Sequence, residues 1–367
     1  MDMRKLLQLV VEKDASDMHL KVGSVPILRL NRSLVPQKKL DTISRETMLT
    51  IIDSLTNEGQ KNEFLEKNEV DYAYIAKDIG RFRVNIFRQR GECGIVLRRV
   101  KEVIPTFEEL NLPGLFKKIA SGERGIVLIT GASSSGKTTT MASMINYINM
   151  HENKHILTLE NPIEYIHKDI KSVINQREIG VDTESFHEAL KHIIRQDPDV
   201  IAIGEMRERE GVTVSISAAE TGHLVLSSFH AEDTVQAIRR LLDFFDNSEK
   251  NHIRAQLANN LNAITCQRLL KVAKTNDKAK CDLVPATEIL SVTPIVSKLI
   301  RNNKLENIYK VLQSGESGMQ SFNNSLLDLY RKKVITREEA ISNSSNPEAI
   351  KINLKGIYLD EDKAILG

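Results

Sequence analysis

Tryptophan is absent, and aromatic residues make up only 5% of the 367-residue chain. A protein that tracks nucleic acid by stacking bases needs aromatic platforms beside a basic groove. Here 51 Lys and Arg stand against 49 Asp and Glu, so the positive excess is also missing. The expectation is no nucleic-acid partner. Cysteine is scarce: Cys93, Cys266 and Cys281 are the only three, and no two stand at the spacing of zinc ligands. That excludes a tetracysteine zinc site and fits a reducing compartment. No apolar run reaches the roughly 18 residues of a bilayer-spanning helix. The opening Met1-Asp-Met-Arg-Lys5 leads into an amphipathic stretch instead of an export signal. The chain therefore reads as cytoplasmic, without direct membrane insertion.

What remains is a globular composition, 41% hydrophobic and 27% charged, long enough for two or three domains. Residues 1–100 mix short strand signals (Met18–Val22, Pro26–Leu30) with helical ones (Leu6–Val11, Ser44–Leu55, Asn57–Lys67). In Arg81-Phe-Arg-Val-Asn-Ile86, Phe82, Val84 and Ile86 share one face of a strand, and Arg81, Arg83 and Asn85 the other. Gly94–Arg99 alternates in the same way, and the whole suggests an α+β domain. Residues 101–124, with Pro105 and Pro113, read as a linker carrying one helix over Phe107–Ile119.

From residue 125 to 367 the pattern becomes α/β. Short apolar runs at Ile126–Thr130, His155–Leu159, Val200–Ile203 and Leu224–Ser227 are separated by helical stretches. Such runs belong to a parallel sheet covered on both faces. Ile253, Leu257, Leu261 and Ile264 trace one stripe of a long helix, and a mostly helical tail follows from Val292, with a capping pair at Thr336 and Glu339.

Gly131-Ala-Ser-Ser-Ser-Gly-Lys137-Thr138 fits the phosphate-binding P-loop and sits between a strand and a helix, the context that gives the pattern meaning. Its backbone N–H groups and the helix N-terminus attract phosphate. Gly131, Ser133, Ser134, Ser135, Gly136, Lys137, Thr138 and Thr139 are therefore candidate ATP-binding residues, with Thr138 also a ligand to Mg²⁺. Glu205, closing Val200-Ile-Ala-Ile-Gly, is the candidate carboxylate for the metal and the attacking water. Glu160 and Glu164 follow another strand; Glu164 fits either an exposed loop or a water-activating base. His223 and His230 bracket a fourth strand, as one core and one surface histidine or as a sensor of γ-phosphate or metal.

Together these segments resemble the type IV pilus retraction ATPases, the PilT and PilU kind, within the secretion ATPase superfamily. The resemblance rests on Asn175–Gly180, Ile194–Asp199 through Arg207, Ala219–His223, Gly80–Asn85 and Gly318–Phe322. It implies a PAS-like N-terminal domain, a RecA-like P-loop ATPase core and a homo-oligomeric, hexameric ring. It further implies Glu205 and Glu164 as catalytic acids, and His223 and His230 in the histidine motif. Arg81 and Arg83, with Arg98 as a third, would reach the phosphates. The partners implied are a pilus inner-membrane platform protein and a paralogous retraction ATPase, placing the chain at the pilus base, peripheral to the inner membrane. Ile95–Arg99, Ile104–Leu110 and the tail around Asn346–Asn353 look closer to the accessory PilU-like branch than to the PilT-like primary motor. Ile295-Val-Ser-Lys-Leu-Ile-Arg keeps the retraction motif only in part. The loop departs too, with Ser134 where the family has glycine. Serine there must either adopt an uncommon backbone or relax the loop.

Overall fold

A computed structural model of the chain describes residues 2–30, 33–100, 103–273 and 282–354. It resolves into two compact units, Met1–Val103 with Glu164–Ile166, and Ile104–Ile163 with His167–Gly367.

In the first unit, side-chain caps start the helices: Asp2 opens α1 (Met3–Glu12). Following in chain order are β1 (Asp17–Lys21), β2 (Ile27–Leu30), β3 (Ser33–Pro36), α2 (Arg45–Leu55), α3 (Glu58–Lys67), β4 (Glu69–Ala76), β5 (Gly80–Gln89) and β6 (Glu92–Val100). Asn57 and Gln60 close a reciprocal capping box on α3. The six strands form one antiparallel sheet in the order β3-β2-β1-β6-β5-β4. The alternation read in β5 holds. Phe82, Val84 and Ile86 are fully buried with Leu6, Leu7, Met48 and Ile51 of the helices, while Arg81 and Arg83 lie on the opposite face. The edge strands β3 and β4 carry no such signal. β3 is exposed throughout and β4 buries only Val70 and Ala76.

The second unit opens differently from the expected helix. After Phe107 the chain turns, Leu112 N–H closing on Phe107 O at 2.8 Å with Asn111 at φ 54°, and only α4 (Leu115–Ala120) is helical. Pro113 removes a donor that a helix through this point would need. Then come β7 (Gly125–Thr130), α5 (Lys137–His151), β8 (His155–Glu160), β9 (Val173–Glu178), α6 (Phe186–Ile193), β10 (Val200–Ile203), α7 (Arg209–Glu220), β11 (Leu224–Phe229), α8 (Thr234–Asp243) and α9 (Lys250–Asn260). A hairpin of β12 (Leu261–Lys271) and β13 (Leu283–Ser291) precedes α10 (Pro294–Arg301), α11 (Ile308–Ser314), α12 (Phe322–Arg331), α13 (Arg337–Ser342) and α14 (Pro347–Leu354). The long helical stripe thus breaks: Ile253 and Leu257 belong to α9, but Leu261 and Ile264 to β12. Residues 261–270 are largely buried between β7 and β13, and that makes their apolar run indistinguishable from a buried helix by pattern alone. Residues 355–367 and Cys281 lie outside the described residues.

This sheet runs β13-β12-β7-β11-β10-β8-β9, parallel except for β13. Alternate residues of its strands feed two cores. Val127, Ile129, Val200 and Leu226 pack with Met141, Met144 and Ile148 of α5. Leu128, Ile201 and Val225 pack with Val212, Ile238 and Leu257 of the helices opposite. The fold of this unit is therefore α/β, with helices on both faces of the sheet. The helical tail packs Phe322 and Leu326 against Cys266 and Leu270 of the hairpin, and Thr336 caps α13 through Glu339 N–H as the sequence indicates. At the far edge, the outward N–H groups of Ile174 and Glu178 on β9 donate to Asp169 (3.0 Å) and Asp182 (2.8 Å). Among the described residues no helix is long and apolar enough to cross a membrane.

Candidate functional site

The site lies where β7, β11 and β10, neighbours in the sheet, reach their carboxyl ends, the end at which parallel sheets present ligand sites. Residues 131–136 link β7 to α5. Gly131 has φ 143°, and a Cβ there would fall 2.5 Å from Gln267 O and 2.6 Å from Ser135 Oγ, so glycine is obligatory. Gly136, at φ 91°, starts α5 with no side-chain cap, which leaves the first N–H groups of the helix to a ligand. Lys137 is buried, its Nζ donating to Gly131 O at 3.0 Å and Ala132 O at 2.9 Å. The ammonium is thereby held at the loop. Ser134 adopts φ 59°, the uncommon backbone, at a cost of about 1–2 kcal/mol for a non-glycine residue. Ser133 is exposed, and Thr138 and Thr139 are half-buried in the first turn of α5. The Ser135 hydroxyl is buried without a hydrogen-bond partner among the described residues, which suits a group that binds phosphate oxygens.

Glu205 follows β10 after Gly204, where a Cβ would meet Leu159 O at 3.1 Å. Its Oε1 lies 3.0 Å from His230 Nε2 and its Oε2 accepts from Arg207 Nη2 at 2.8 Å. Burial works against its ionisation, but the Arg207 hydrogen bond and the charges of His230, Arg207 and Lys137 prevail. The carboxyl is held below the usual range. His230 comes one residue after β11, whose Phe229 pairs with Thr130 just before the P-loop. The loop lysine, a carboxylate and a histidine thus come together at three adjacent strand ends.

His223 does not join them. It precedes β11, whose Leu224 pairs with Gly125 at the start of β7, and its Nδ1 lies 2.9 Å from Ala218 O. A six-residue strand separates the two histidines by roughly 20 Å, so within one chain His223 stands apart from Lys137, Glu205 and His230. Glu164 groups with the first unit and forms no hydrogen bond or ion pair among the described residues. The buried acid at the end of β8 is Glu160, which accepts from Thr158 Oγ1 at 2.7 Å and Gln176 Nε2 at 3.0 Å. In the first unit, Arg83 and Arg98 are cross-strand partners. Arg83 makes a bidentate pair with Asp71, and Arg98 pairs with Asp17 at 2.9 Å. Arg81 has no such partner among the described residues.

One residue at the loop escaped the sequence reading. Gln267 on β12, 1% exposed, donates to Ser135 O at 2.8 Å and accepts from Thr140 Oγ1 at 3.0 Å. Its signal, an amide inside an apolar strand, was hidden once that strand passed for helix. Among the described residues no cluster of three His, Cys, Asp or Glu side chains could hold a metal alone.

A family profile described as "Type II/IV secretion system protein" matches residues 2–349. The chain is 39% identical over 356 residues to the type IV pilus ATPase PilU of Pseudomonas aeruginosa, covering 97% of this chain and 92% of that one. To the type IV pilus retraction ATPase PilT of the same organism it is 37% identical over 349 residues, covering 95% and 99%. Among solved structures, that of the pilus retraction motor PilT with bound ADP superposes at a TM-score of 0.86, with 36% identity and 95% and 98% of the two chains covered.

Proposed function

The chain belongs to the type II/IV secretion system protein family, and on that premise we propose that it is an ATP-hydrolysing motor powering type IV pilus retraction. The observation that carries this is the meeting of Lys137, Glu205 and His230 at three adjacent strand ends. It occurs in a chain similar along nearly its whole length to both PilU and PilT.

The residues divide the work. The P-loop N–H groups and Lys137 bind the phosphates, and binding draws the Lys137 ammonium from the loop carbonyls toward them. Glu205, kept ionised by Arg207 and His230, accepts a proton from or orients the attacking water, and His230, 3.0 Å from that carboxylate, would sense the γ-phosphate or the metal. Thr138 and Glu205 would hold Mg²⁺, which neutralises phosphate charge when bound. Glu164 is read as a second water-activating acid. Arg81, without an ion-pair partner among the described residues, is read as the arginine that stabilises transition-state charge, with Arg83 and Arg98 as further candidates.

On this reading the first unit is the PAS-like domain and the second the RecA-like core. The linker is sought within residues 101–124, of which those from Ile104 onward group with the second unit, and the subunits form a hexameric ring. The partners are the inner-membrane platform protein and a paralogous retraction ATPase, met in the cytoplasm at the pilus base. Ile295-Val-Ser-Lys-Leu-Ile-Arg, which keeps the retraction motif only in part, opens α10 with Ile295 exposed and supports the PilU-like, accessory role. Phosphate release by the purified protein tests the chemistry. Nucleotide binding without turnover would leave only a docking ring. Deletion of the gene, with surface pili and twitching scored, tests the biology: excess non-retracting pili is the expected result, and unchanged twitching counts against it.

A further inference from the structure

The P-loop holds an unfavourable backbone shape, and contacts from outside the loop help to fix it. Gly131, Ser134 and Gly136 all have positive φ, and a serine in that region persists only where surrounding contacts over-determine it. Contacts to the two glycines and to Ser135 come from Gln267. β12 runs parallel to β7 in a register that pairs Cys266 with Thr130, so Gln267 lies beside the first loop residue. Its backbone carbonyl occupies the space a side chain at Gly131 would need, and its Nε2 lies 3.0 Å from where a Cβ on Gly136 would stand. The carboxamide then grips the chain on both sides of Lys137. Its Nε2 donates to Ser135 O and its Oε1 accepts from Thr140 Oγ1. The Ser135 carbonyl can only accept and the Thr140 hydroxyl has a proton to donate, so the orientation of the amide is fixed by its partners.

We propose that Gln267 is a positioning residue for the nucleotide: it locks the loop to the first turn of α5, so that the N–H groups and Lys137 face one phosphate position before ligand arrives. This deepens the ATPase reading and rests on it. The role is to pre-pay the ordering of the cradle, so its loss should appear in affinity more than in folding.

Three variants test it by ADP titration and thermal melting. Q267M keeps the length and volume of the side chain but neither hydrogen bond. It is expected to weaken ADP binding about tenfold or more while the apo Tm moves by only a few degrees. T140V removes one of the two bonds and should weaken binding by a smaller factor, which keeps the proposal testable if Q267M does not fold. Q267E keeps a donor to the Ser135 carbonyl while protonated and sets a negative charge against it once ionised, so its ADP affinity relative to wild type should fall as pH rises and recover as pH falls. Q267M has no such recovery. Near-wild-type ADP affinity in Q267M, or a Q267E defect that does not respond to pH, overturns the proposal alone. Failure of the wild-type protein to bind ADP at all overturns the ATPase reading together with it.

Discussion

The charged groups of the second unit converge, whereas those of the first are spread out. Glu205 takes His230 and Arg207 on its two oxygens and feels Lys137, in a partly buried pocket built on strand ends. The arginines of the first unit lie on an open sheet face, Arg83 and Arg98 each tied to an aspartate and Arg81 to nothing among the described residues. The strand-end cluster is assembled in advance. Of the two pairs, Arg83–Asp71 is open to water on both sides and is worth about 0.2–1 kcal/mol, whereas Arg98 is tied to the buried Asp17 and is held more firmly. One region fixes geometry, and the other keeps charge available.

The contrast would break most visibly at Glu205. Glu205→Gln should lower kcat by about 10³-fold with ADP affinity within a few-fold, because the group acts on the barrier and not on the bound ground state. Wild-type turnover in that variant would remove the catalytic reading of the strand-end cluster. A smaller effect is expected at the arginines: Arg81→Ala should cost about 10–100-fold in kcat, and Arg83→Ala less, since Arg83 must first leave Asp71. Reversal of that order would show that Arg83, and not Arg81, delivers the charge.

Acid sharpens the comparison differently. Burial pushes the His167 imidazole down to about 4, from an ordinary 6.5, so it stays neutral in the fold where the unfolded chain would take up a proton. Stability contributed by this group is therefore full above pH 6.5, falls as pH drops toward 4, and levels off below. Between pH 6.5 and 5 the loss amounts to about 2 kcal/mol. His167→Gln should flatten that part of the curve, read by urea midpoints at each pH. The smallest effect is expected at Ser134. Ser134→Gly should remove the cost of φ 59° and stabilise the apo protein by about 1 kcal/mol, less the entropy glycine returns to the unfolded chain. An unchanged or lower Tm would mean that the serine hydroxyl repays its backbone.

The legible parts of the site were those that a backbone pattern dictates. The P-loop, the apolar runs of β7, β10 and β11, and the carboxylate after Gly204 are each local in sequence, and each appears where its pattern implies. The two histidines were harder. Seven residues apart, they bracket one strand, and extended chain carries such a pair to opposite ends of the sheet. Gln267 was illegible for another reason, because β12 buries both faces and reads as a continuation of α9. In the first unit the alternation of β5 revealed which residues share a face, but not which arginine is engaged. The partner aspartate of Arg83 sits on β4, an edge strand whose half-polar sequence marks nothing.

The edge strand of the other sheet has a consequence for handling the protein. Of the outward N–H groups of β9, two are taken by Asp169 and Asp182, so a foreign chain seeking to extend the sheet meets occupied donors and carboxylate charge. Val173 and the nearby Ile170 are exposed and would otherwise invite self-association. Colloidal behaviour at this edge should then depend on these two side chains: Asp169→Ala with Asp182→Ala should yield a protein that still folds but precipitates at lower concentration.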